Sequence, residues 1–251
     1  PPHAAAQLLR NLPARVASGC APLDAALGGG VARGAVTEFV GRAGAGKTQC
    51  CNTFAAACAA RGDDVVYVDT EQTFRPRRFW QIAEARGAPG PAETLLTRVS
   101  VLRPRGGEEL LQCLEGGDLL ARALERRAAL IVVDSVAAAA RGDFARRGDL
   151  ADRQRFLARV ATSLKRVATE ASAAVVCTNH VMADFAGDGD AVTPALGLTW
   201  HHAVNERVVL DHAGGTRRAR VAKSPSAADA GFAYAVAAAG LVAADDGGGG
   251  E

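Results

Sequence analysis

Short apolar runs alternate along the chain with longer stretches of helical periodicity. The apolar runs are rich in valine, isoleucine and alanine without polar alternation, a pattern that predicts strands buried on both faces of a parallel sheet. They cover residues 35–41, 65–70, 129–135 and 173–179. The stretches between them predict helices near 47–61, 75–87, 107–127 and 150–171. This alternation predicts an α/β fold, with a mostly parallel central sheet flanked by helices.

The pattern changes after about residue 204, where shorter strand-like runs follow one another. NERVVLD, RRARVAK and FAYAVAAAGLV predict antiparallel edge strands at the C-terminus. No internal repeat or second domain is evident in the sequence. It therefore predicts one large domain over 18–243, an N-terminal linker remnant over 1–17 and a disordered tail over 244–251. The first residue is not methionine, which suggests a fragment of a longer protein.

Composition and charge narrow the class of protein only slightly. The 251 residues are 49% hydrophobic and 22% charged, which is ordinary for a globular protein with a sizeable core. A net charge of +2 does not by itself indicate nucleic-acid binding. No run approaches the roughly 18 apolar residues that span a membrane, and the first residues lack the layout of a secretory signal. The six cysteines form no C-x-x-C pair, so we expect buried thiols in an intracellular protein.

A phosphate-binding motif follows the first long apolar run. GRAGAGKT, residues 41–48, fits G-x-x-x-x-G-K-[ST] with a predicted strand before it and a helix after it. Its glycines allow a tight turn in which backbone N–H groups point at phosphate oxygens, and the helix adds the positive end of its dipole. We expect Lys47 to reach the β- and γ-phosphates and Thr48 to ligate Mg²⁺. The chain is therefore predicted to bind a nucleoside triphosphate.

Acidic residues follow two further predicted strands. Asp134 ends ALIVVDS, where a carboxylate at the carboxyl edge of the sheet can hold Mg²⁺ through water. Asp69 and Glu71 come after the strand in VVYVDTEQTF, and Glu71 is placed to polarise a water that attacks the γ-phosphate. Spacing alone does not separate this role from that of a strand-end or helix-capping acid.

Several motifs, in the same order along the chain, resemble RecA/RadA-type recombinases. SGCAPLDAALGGGVARGAVTEFVG (18–41) resembles the entry to their ATPase core, and DTEQTFRPRR (69–78) resembles the segment with their catalytic glutamate. RRGDLADRQRFLAR (146–159) resembles their first DNA-binding loop and the helix after it. PALGLTWHHAVNERVVL and AKSP, between 194 and 225, are most similar to eukaryotic recombinase paralogues, especially the B-type. The resemblance covers about residues 18–243.

The resemblance implies a RecA-like P-loop ATPase core that uses ATP and Mg²⁺, binds single-stranded DNA and works in the nucleus. It implies that Glu71 activates water, that Thr48 and Asp134 serve Mg²⁺, and that the Arg78 guanidinium lies flat on the adenine ring. A cis peptide bond after Asp134 is also implied. The residues expected to hold the nucleotide are Gly41, Arg42, Ala43, Gly44, Ala45, Gly46, Lys47, Thr48, Gln49, Arg78, Asp134 and His180.

Two departures from the family pattern concern the nucleotide site and assembly. His180 follows the strand AAVVCTN, where the family usually has a glutamine that senses the γ-phosphate, and an imidazole would make such a sensor dependent on pH. The family's N-terminal helical domain and Phe-x-x-Ala docking motif are not found in residues 1–17. FAAA at 54–57 is no substitute, because it falls in the predicted phosphate-loop helix and should be buried.

A third departure is the charge of the second predicted DNA loop. The first loop, about 141–155, has five arginines against three aspartates, and we expect DNA contact from Arg141, Arg146, Arg147 and Arg153. Without the resemblance, a solvated, self-paired charge run would be the favoured explanation. The second loop, 181–195, has three aspartates and no basic residue, so it would repel a polyanion. His201 and His202 lack further ligands at metal spacing and are expected to pack at the sheet edge.

Lysine is rare in this chain: only Lys47, Lys165 and Lys223 occur among 29 basic residues. In the family, the segment matching VAKSP lies at the subunit interface, beside the ATP of the neighbouring protomer. Filament-forming relatives tend to carry an aspartate at the position of Lys223, where it helps to hold a potassium ion near the γ-phosphate. We expect the Lys223 ammonium to replace that ion and to serve catalysis. The alternative is a surface lysine on an edge strand.

Together these features predict an ATP-dependent, single-stranded-DNA-binding recombinase paralogue with slow, DNA-dependent ATP hydrolysis. It would assemble with related recombinase subunits in a hetero-oligomer and assist homologous recombination and DNA repair. Three other functions remain open. One is a structural subunit that binds ATP only to lock a protein interface. The others are an autonomous strand-exchange recombinase, which the acidic second loop disfavours, and a P-loop protein-kinase-like or helicase relative.

Overall fold

The computed structural model describes residues 12–143, 150–183, 192–194, 196–213 and 216–244, and a ten-stranded sheet runs through them. Two short strands, β1 (Arg15–Val16) and β2 (Val31–Ala32), pair outside this sheet. The sheet contains β3 (Val36–Gly41), β4 (Val65–Asp69), β5 (Val99–Leu102), β6 (Leu130–Asp134), β7 (Ala174–Ala183), β8 (Val192–Pro194), β9 (Glu206–Ala213), β10 (Thr216–Lys223), β11 (Gly231–Ala237) and β12 (Gly240–Ala243). Their order is β12-β11-β10-β9-β3-β7-β6-β4-β5, with β8 paired to β7 alone.

The strand directions confirm a parallel core with antiparallel strands at one end. β9, β3, β7, β6, β4 and β5 run parallel to one another, and β10, β11 and β12 continue the sheet as antiparallel hairpins. One detail of the prediction is wrong, because β9 pairs parallel with β3 and only its other edge is antiparallel. The segment between β7 and β9 contains a helix, and such a crossover returns a strand in parallel, whereas a short hairpin cannot.

Nine helices in the described ranges cover both faces of the sheet. They are α1 (Ala21–Ala26), α2 (Lys47–Ala60), α3 (Pro76–Ala85), α4 (Ala92–Thr97), α5 (Gly107–Glu115), α6 (Asp118–Glu125), α7 (Val136–Asp143), α8 (Leu150–Glu170) and α9 (Gly197–Ala203). α1 to α4 pack in one core cluster together with Leu130 and Val132 of β6. α5 to α9 pack in a second cluster, which contains Ile131 and Val133 of the same strand. Burial on both faces explains why the parallel strands are continuous apolar runs. Within these ranges, no helix combines the length and apolarity needed to cross a membrane.

The predicted helix over 107–127 is two helices, which corrects the sequence analysis. α5 ends before Gly116 and α6 starts after Gly117. Gly117 has a φ of 93°, a left-handed conformation that interrupts a right-handed helix. A Cβ at Gly116 would lie 2.5 Å from the Gln112 carbonyl oxygen, so the chain turns there with no room for a side chain. The amphipathic period is similar on both sides of the break and conceals it.

Described residues that precede position 18, the predicted start of the domain, already form part of the fold. Arg15 and Val16, within the predicted linker, form β1 and pair with β2. The Arg15 guanidinium donates to the carbonyl oxygens of Leu27 at 2.6 Å and Gly30 at 2.8 Å. The FAAA segment at 54–57 lies in α2 and is buried, as predicted. The strand β5 and the helix α4 were not predicted, because both are short and only partly buried.

The parallel register brings the ends of three core strands, and His180 within a fourth, to one edge of the sheet. Gly41 at the end of β3 lies beside His180 of β7. Asp69 at the end of β4 lies beside Asp134 at the end of β6. The predicted phosphate loop, acidic residues and sensor histidine therefore meet at the carboxyl edge of the sheet, where α/β proteins bind ligands.

Candidate nucleotide-binding site

The predicted phosphate loop connects β3 to α2 in a tight, glycine-dependent turn. Gly44 and Gly46 have φ angles of 80° and 99°, a region that residues with a Cβ enter only at a cost. Gly41 has no space for a side chain, since a Cβ there would lie 2.3 Å from the Leu210 carbonyl oxygen. α2 starts at Lys47 without a side-chain cap on its N-terminus. Its first N–H groups are thus available to an anion, and the helix dipole favours negative charge there.

Lys47 lies inside this turn with little exposure to solvent. Its ammonium donates to the carbonyl oxygens of Gly41 at 2.7 Å and Arg42 at 2.9 Å. Burial lowers the pKa of Lys47, and the nearby carboxylates of Asp134 and Glu71 oppose that shift. A cation on a flexible stem, held by two neutral carbonyls, can turn towards a phosphate group without breaking an ion pair.

Asp134 at the end of β6 is nearly fully buried and surrounded by hydroxyl groups. It accepts hydrogen bonds from Thr178 Oγ1 at 2.5 Å and from the Tyr67 hydroxyl at 3.2 Å, and Thr48 also donates to it. Burial raises the pKa of Asp134, while these three hydrogen bonds lower it. A buried carboxylate beside a threonine hydroxyl is a donor set of the kind that Mg²⁺ accepts, because this ion uses few protein oxygens and keeps several waters. Thr48 and Asp134 thus fit the predicted magnesium pair.

Glu71 lines the same cavity as the phosphate loop and has three polar neighbours on one oxygen. Its Oε1 accepts from Ser135 Oγ at 3.0 Å, lies 3.2 Å from His180 Nε2 and 3.6 Å from a terminal nitrogen of Arg141. The hydrogen bond from His180 is the largest cause of a lowered Glu71 pKa, and the Ser135 bond adds to it. Glu71 is therefore a carboxylate at neutral pH, able to orient a water by accepting its proton.

Asp69 has the capping role that was one alternative for the acids after β4. It is fully buried and accepts from the backbone N–H groups of Thr73 at 2.9 Å and Phe74 at 3.1 Å. These bonds close the turn that carries Glu71. The Asp134–Ser135 peptide bond on the neighbouring strand is cis, as the resemblance implied.

One cavity of about 340 Å³ joins most of the predicted nucleotide residues. It is lined by Ala43, Gly44, Gly46, Lys47, Thr48, Gln49, Glu71, Asp134 and His180. Ala45 of the loop is fully buried, and Gly41 and Arg42 line a separate cavity of about 250 Å³. The sequence patterns did not single out Tyr67, Ser135 and Thr178. The only signal for Tyr67 and Thr178 is a hydroxyl within an otherwise apolar strand.

Arg78 lies on α3, beside the phosphate-loop helix. Its Nε donates to Gln49 Oε1 at 2.8 Å, and its terminal nitrogens donate to the carbonyl oxygens of Ala238 at 3.1 Å and Ala237 at 2.6 Å. The guanidinium thus connects α2 to the turn between β11 and β12. Stacking on adenine remains a prediction, and the fixed plane of Arg78 would offer one face for it.

In the described part of the first predicted DNA loop, one arginine lies near the nucleotide cavity. Arg141, in the last turn of α7, is 61% exposed and approaches Glu71. Arg153 is partly exposed at the start of α8. Arg155 is paired with Asp152 at 2.5 Å, so part of the positive charge is neutralised within the helix. Arg146 and Arg147, like Asp184, Asp188 and Asp190 of the second loop, lie outside the described residues.

Lys223 lies far from the phosphate loop of its own chain. It pairs with Arg207, which pairs with Glu38 of β3, whereas the loop starts at Gly41, three residues further along that strand. At about 3.3 Å per residue this separation is roughly 10 Å along the strand. The Lys223 ammonium donates to the carbonyl oxygens of His201 and Val204, both at 2.7 Å, at the C-terminal end of α9. β10 is an interior strand of the sheet, so Lys223 is not on an edge strand.

The two adjacent histidines belong to α9 instead of a sheet edge. The Nδ1 atom of His201 contacts the Arg207 guanidinium, which also pairs with the buried carboxylate of Glu38. Trp200 donates from Nε1 to the same carboxylate at 2.8 Å. Burial, followed by Arg207 and Lys223, lowers the pKa of His201.

The phosphate loop, the acid at the end of β6 and the glutamate after β4 on a mostly parallel sheet define a P-loop ATPase core of RecA type. The sequence profile of the Rad51 family matches residues 10–244. The chain belongs to this family of recombination and DNA repair proteins.

Individual relatives agree with this assignment. The chain is 36% identical to the DNA repair protein RAD51 of Mycosarcoma maydis over 244 residues, which cover 93% of this chain and 71% of that protein. It is 35% identical to the human DNA repair protein RAD51 homolog 2, covering 92% and 69%. It is also 35% identical to the meiotic recombination protein DMC1 homolog of Arabidopsis thaliana, covering 96% and 72%. The similarity therefore extends over nearly the whole chain and about seven tenths of each relative.

Proposed function

We propose that this chain is an ATP-binding, slowly hydrolysing recombinase paralogue that assembles with related subunits on single-stranded DNA in the nucleus. The observation that carries this proposal is the cavity in which Lys47, Thr48, Asp134 and Glu71 face one another. A triphosphate on the loop would present its terminal phosphate to Lys47 and to a magnesium ion held by Thr48 and Asp134. Glu71 would orient the attacking water, and such positioning supplies most of the catalysis in phosphoryl transfer.

The contact between Arg141 and Glu71 supports a dependence of hydrolysis on DNA. Arg141 is at the start of the predicted DNA loop, and its guanidinium lies 3.6 Å from the carboxylate proposed as base. A DNA phosphate that attracts Arg141 would free one side of Glu71 for water. ATP turnover should therefore be slow in the isolated chain and rise when single-stranded DNA is added to the chain and its partner subunits.

The second candidate is a structural subunit, because the carboxylate of Glu71 already has protein partners that could keep it from activating water. Ser135, His180 and Arg141 all surround its Oε1 atom. If these contacts persist when ATP is bound, the nucleotide would stay intact and serve only to hold a subunit interface. Turnover with and without single-stranded DNA separates the candidates. Equal, negligible turnover in both conditions, with ATP-dependent assembly, would favour the structural subunit.

We expect substitution of Arg147 by alanine to weaken binding of single-stranded DNA and to lower its salt dependence. Removal of one contact to a DNA phosphate should reduce the slope of log affinity against log salt by about 0.7. Replacing Asp184, Asp188 and Asp190 with asparagine should instead strengthen binding, since it removes repulsion from the phosphates. Fluorescence anisotropy across a salt series measures both effects.

The matched control is Arg155→Ala, since Arg155 already pairs with Asp152. We expect a smaller change from this variant than from Arg147→Ala. DNA contact is refuted if the chain, alone and with its partner subunits, shows no salt-dependent affinity for single-stranded DNA.

We propose that Lys223 serves the nucleotide of a neighbouring subunit, as the family resemblance suggests. Its distance from its own phosphate loop leaves only such a role in trans for a contact with ATP. Burial, and then the positive charges of Arg207 and Lys165, lower the pKa of Lys223, so an anion brought to this place would be attracted to several cations. The competing role is local, because the ammonium already caps the C-terminal carbonyls of α9.

We expect Lys223→Ala to weaken assembly and ATP turnover while leaving nucleotide binding by the isolated subunit intact. In the natural chain, assembly and ATP turnover should depend little on potassium. In Lys223→Asp, assembly and turnover should be weakened and should recover partly when potassium is added. Lys223→Arg separates the two roles, because arginine can still donate to the α9 carbonyls but replaces the compact ammonium poorly. Normal assembly and turnover in Lys223→Arg, together with a lowered unfolding midpoint in Lys223→Ala, would assign this lysine to the helix end alone.

A further inference from the structure

The hairpin formed by β11 and β12 packs directly against the outside of the phosphate loop. The Tyr234 hydroxyl donates a hydrogen bond of 2.5 Å to the Ala45 carbonyl oxygen. Both residues are buried, with 2% and 0% of their surface exposed. The contact continues at Gly46, where a Cβ would lie 3.2 Å from a methyl group of Val236. The sequence pattern assigns these hairpin residues only to an edge strand.

The bond to Ala45 determines which way the next amide points. The Ala45–Gly46 peptide is trans, since the only cis bond in the described residues is Asp134–Ser135. In a trans peptide the C=O and N–H bonds point in opposite directions. A carbonyl held outward by Tyr234 therefore turns the Gly46 N–H inward, and Gly46 lines the nucleotide cavity. A flipped peptide would instead present an oxygen to the phosphates and repel them.

Further hydrogen bonds hold the hairpin against α2 and α3, so the position of the Tyr234 hydroxyl is fixed. Thr53 of α2 accepts the Leu241 N–H at 2.9 Å. Arg78 holds the carbonyls of Ala237 and Ala238 in the turn. Burial raises the pKa of Tyr234, so its hydroxyl remains a protonated donor at neutral pH.

We propose that Tyr234 is a positioning residue for phosphate binding: its hydroxyl holds the Ala45 carbonyl outward and thereby keeps the Gly46 amide directed at the phosphates of the nucleotide. This inference rests on the proposed nucleotide binding and adds a residue from the C-terminal hairpin to that site. The proposal also identifies the part of the nucleotide that the hydroxyl affects. The effect concerns the polyphosphate and not the base, so a phosphate chain without adenosine should show it.

The test is Tyr234→Phe, which removes one oxygen atom and keeps the ring that fills the core. Calorimetric titration should show affinities for MgATP, MgADP and inorganic tripolyphosphate lowered together by about 3- to 10-fold, the range of one hydrogen bond. In nitrogen-15 spectra of the ligand-free chain, the Gly46 amide should shift or broaden, because its peptide is no longer held in one orientation.

The matched control is Thr53→Val, which removes the buried hydrogen bond between Leu241 of the hairpin and α2, together with the bond from Thr53 to the Gln49 carbonyl oxygen, and leaves the contact with Ala45 in place. Both variants should lower the unfolding midpoint by a few degrees, but only Tyr234→Phe should lose affinity for tripolyphosphate. Equal losses in both variants, or no loss in either, would overturn the role of Tyr234. If the natural chain binds neither MgATP nor tripolyphosphate, the proposed nucleotide site itself is refuted.

Discussion

Substitution of Lys47 by alanine is expected to abolish ATP binding. Among the residues that line the cavity, Lys47 is the only lysine or arginine, and its ammonium would reach both terminal phosphates. Charge-assisted hydrogen bonds contribute about 1.5–3 kcal/mol each. The loss of two should lower affinity by roughly 100-fold or more. Titration with MgATP measures the affinity, and phosphate release measures the turnover.

Two further variants make this result specific. Lys47→Arg should retain ATP binding but impair turnover, because the broad guanidinium cannot take the place of the compact ammonium. Lys165→Ala removes an exposed lysine on α8 that does not line the cavity, and it should leave ATP binding by the isolated chain unchanged. Turnover in Lys47→Ala at the rate of the natural chain would end the argument for a nucleotide site at 41–48.

Substitution of Glu71 by glutamine should leave ATP bound but not hydrolysed. The amide keeps the size of the side chain and an oxygen for the Ser135 hydroxyl, but it cannot accept a proton from water. Loss of a general base lowers the rate by about 10²- to 10⁴-fold. Single-turnover hydrolysis of labelled ATP gives the rate, and retention of the nucleotide on the protein gives the binding.

The pH profile offers a second test of Glu71. Its pKa is lowered by the hydrogen bond from His180 and then by that from Ser135, so the carboxylate is ionised at neutral pH. Turnover should therefore not fall through protonation of Glu71 until the pH drops below the usual range of a glutamate. The control variant is Glu115→Gln, which makes the same change as Glu71→Gln at an exposed glutamate that pairs with Arg159. It should leave ATP turnover unchanged. If hydrolysis in Glu71→Gln persists at the natural rate, Glu71 is a structural acid and the structural-subunit candidate gains.

Much of the nucleotide site could be predicted from the sequence because its residues lie at the ends of strong local patterns. The glycines and Lys47 of the phosphate loop, and Asp134 after a strand of valines, each follow an apolar run. Parallel strands end at the same edge, so these residues had to come together once the sheet was recognised. His180 and Glu71 lie in one cavity for the same reason.

Residues that support the site from distant parts of the chain could not be found this way. Tyr234 follows Ala45 by 189 positions, and its hydroxyl gives no periodic signal. Tyr67 and Thr178 look like ordinary strand residues until the sheet places them beside Asp134. The break at Gly117 was missed because two helices on one face of the sheet share an amphipathic period.

The sequence by itself determined the α/β class, the parallel core, the phosphate loop and the acidic residues that follow β4 and β6, because these depend on local periodicity and on motifs within a few residues. Only the tertiary structure decided that β9 pairs parallel with β3, that Asp69 caps a turn while Glu71 faces the cavity, and that Lys223 lies away from its own phosphate loop. Each of these depends on which strand lies beside which and on the direction of a side chain. Such pairings arise from contacts between residues far apart in the chain, which no local pattern encodes.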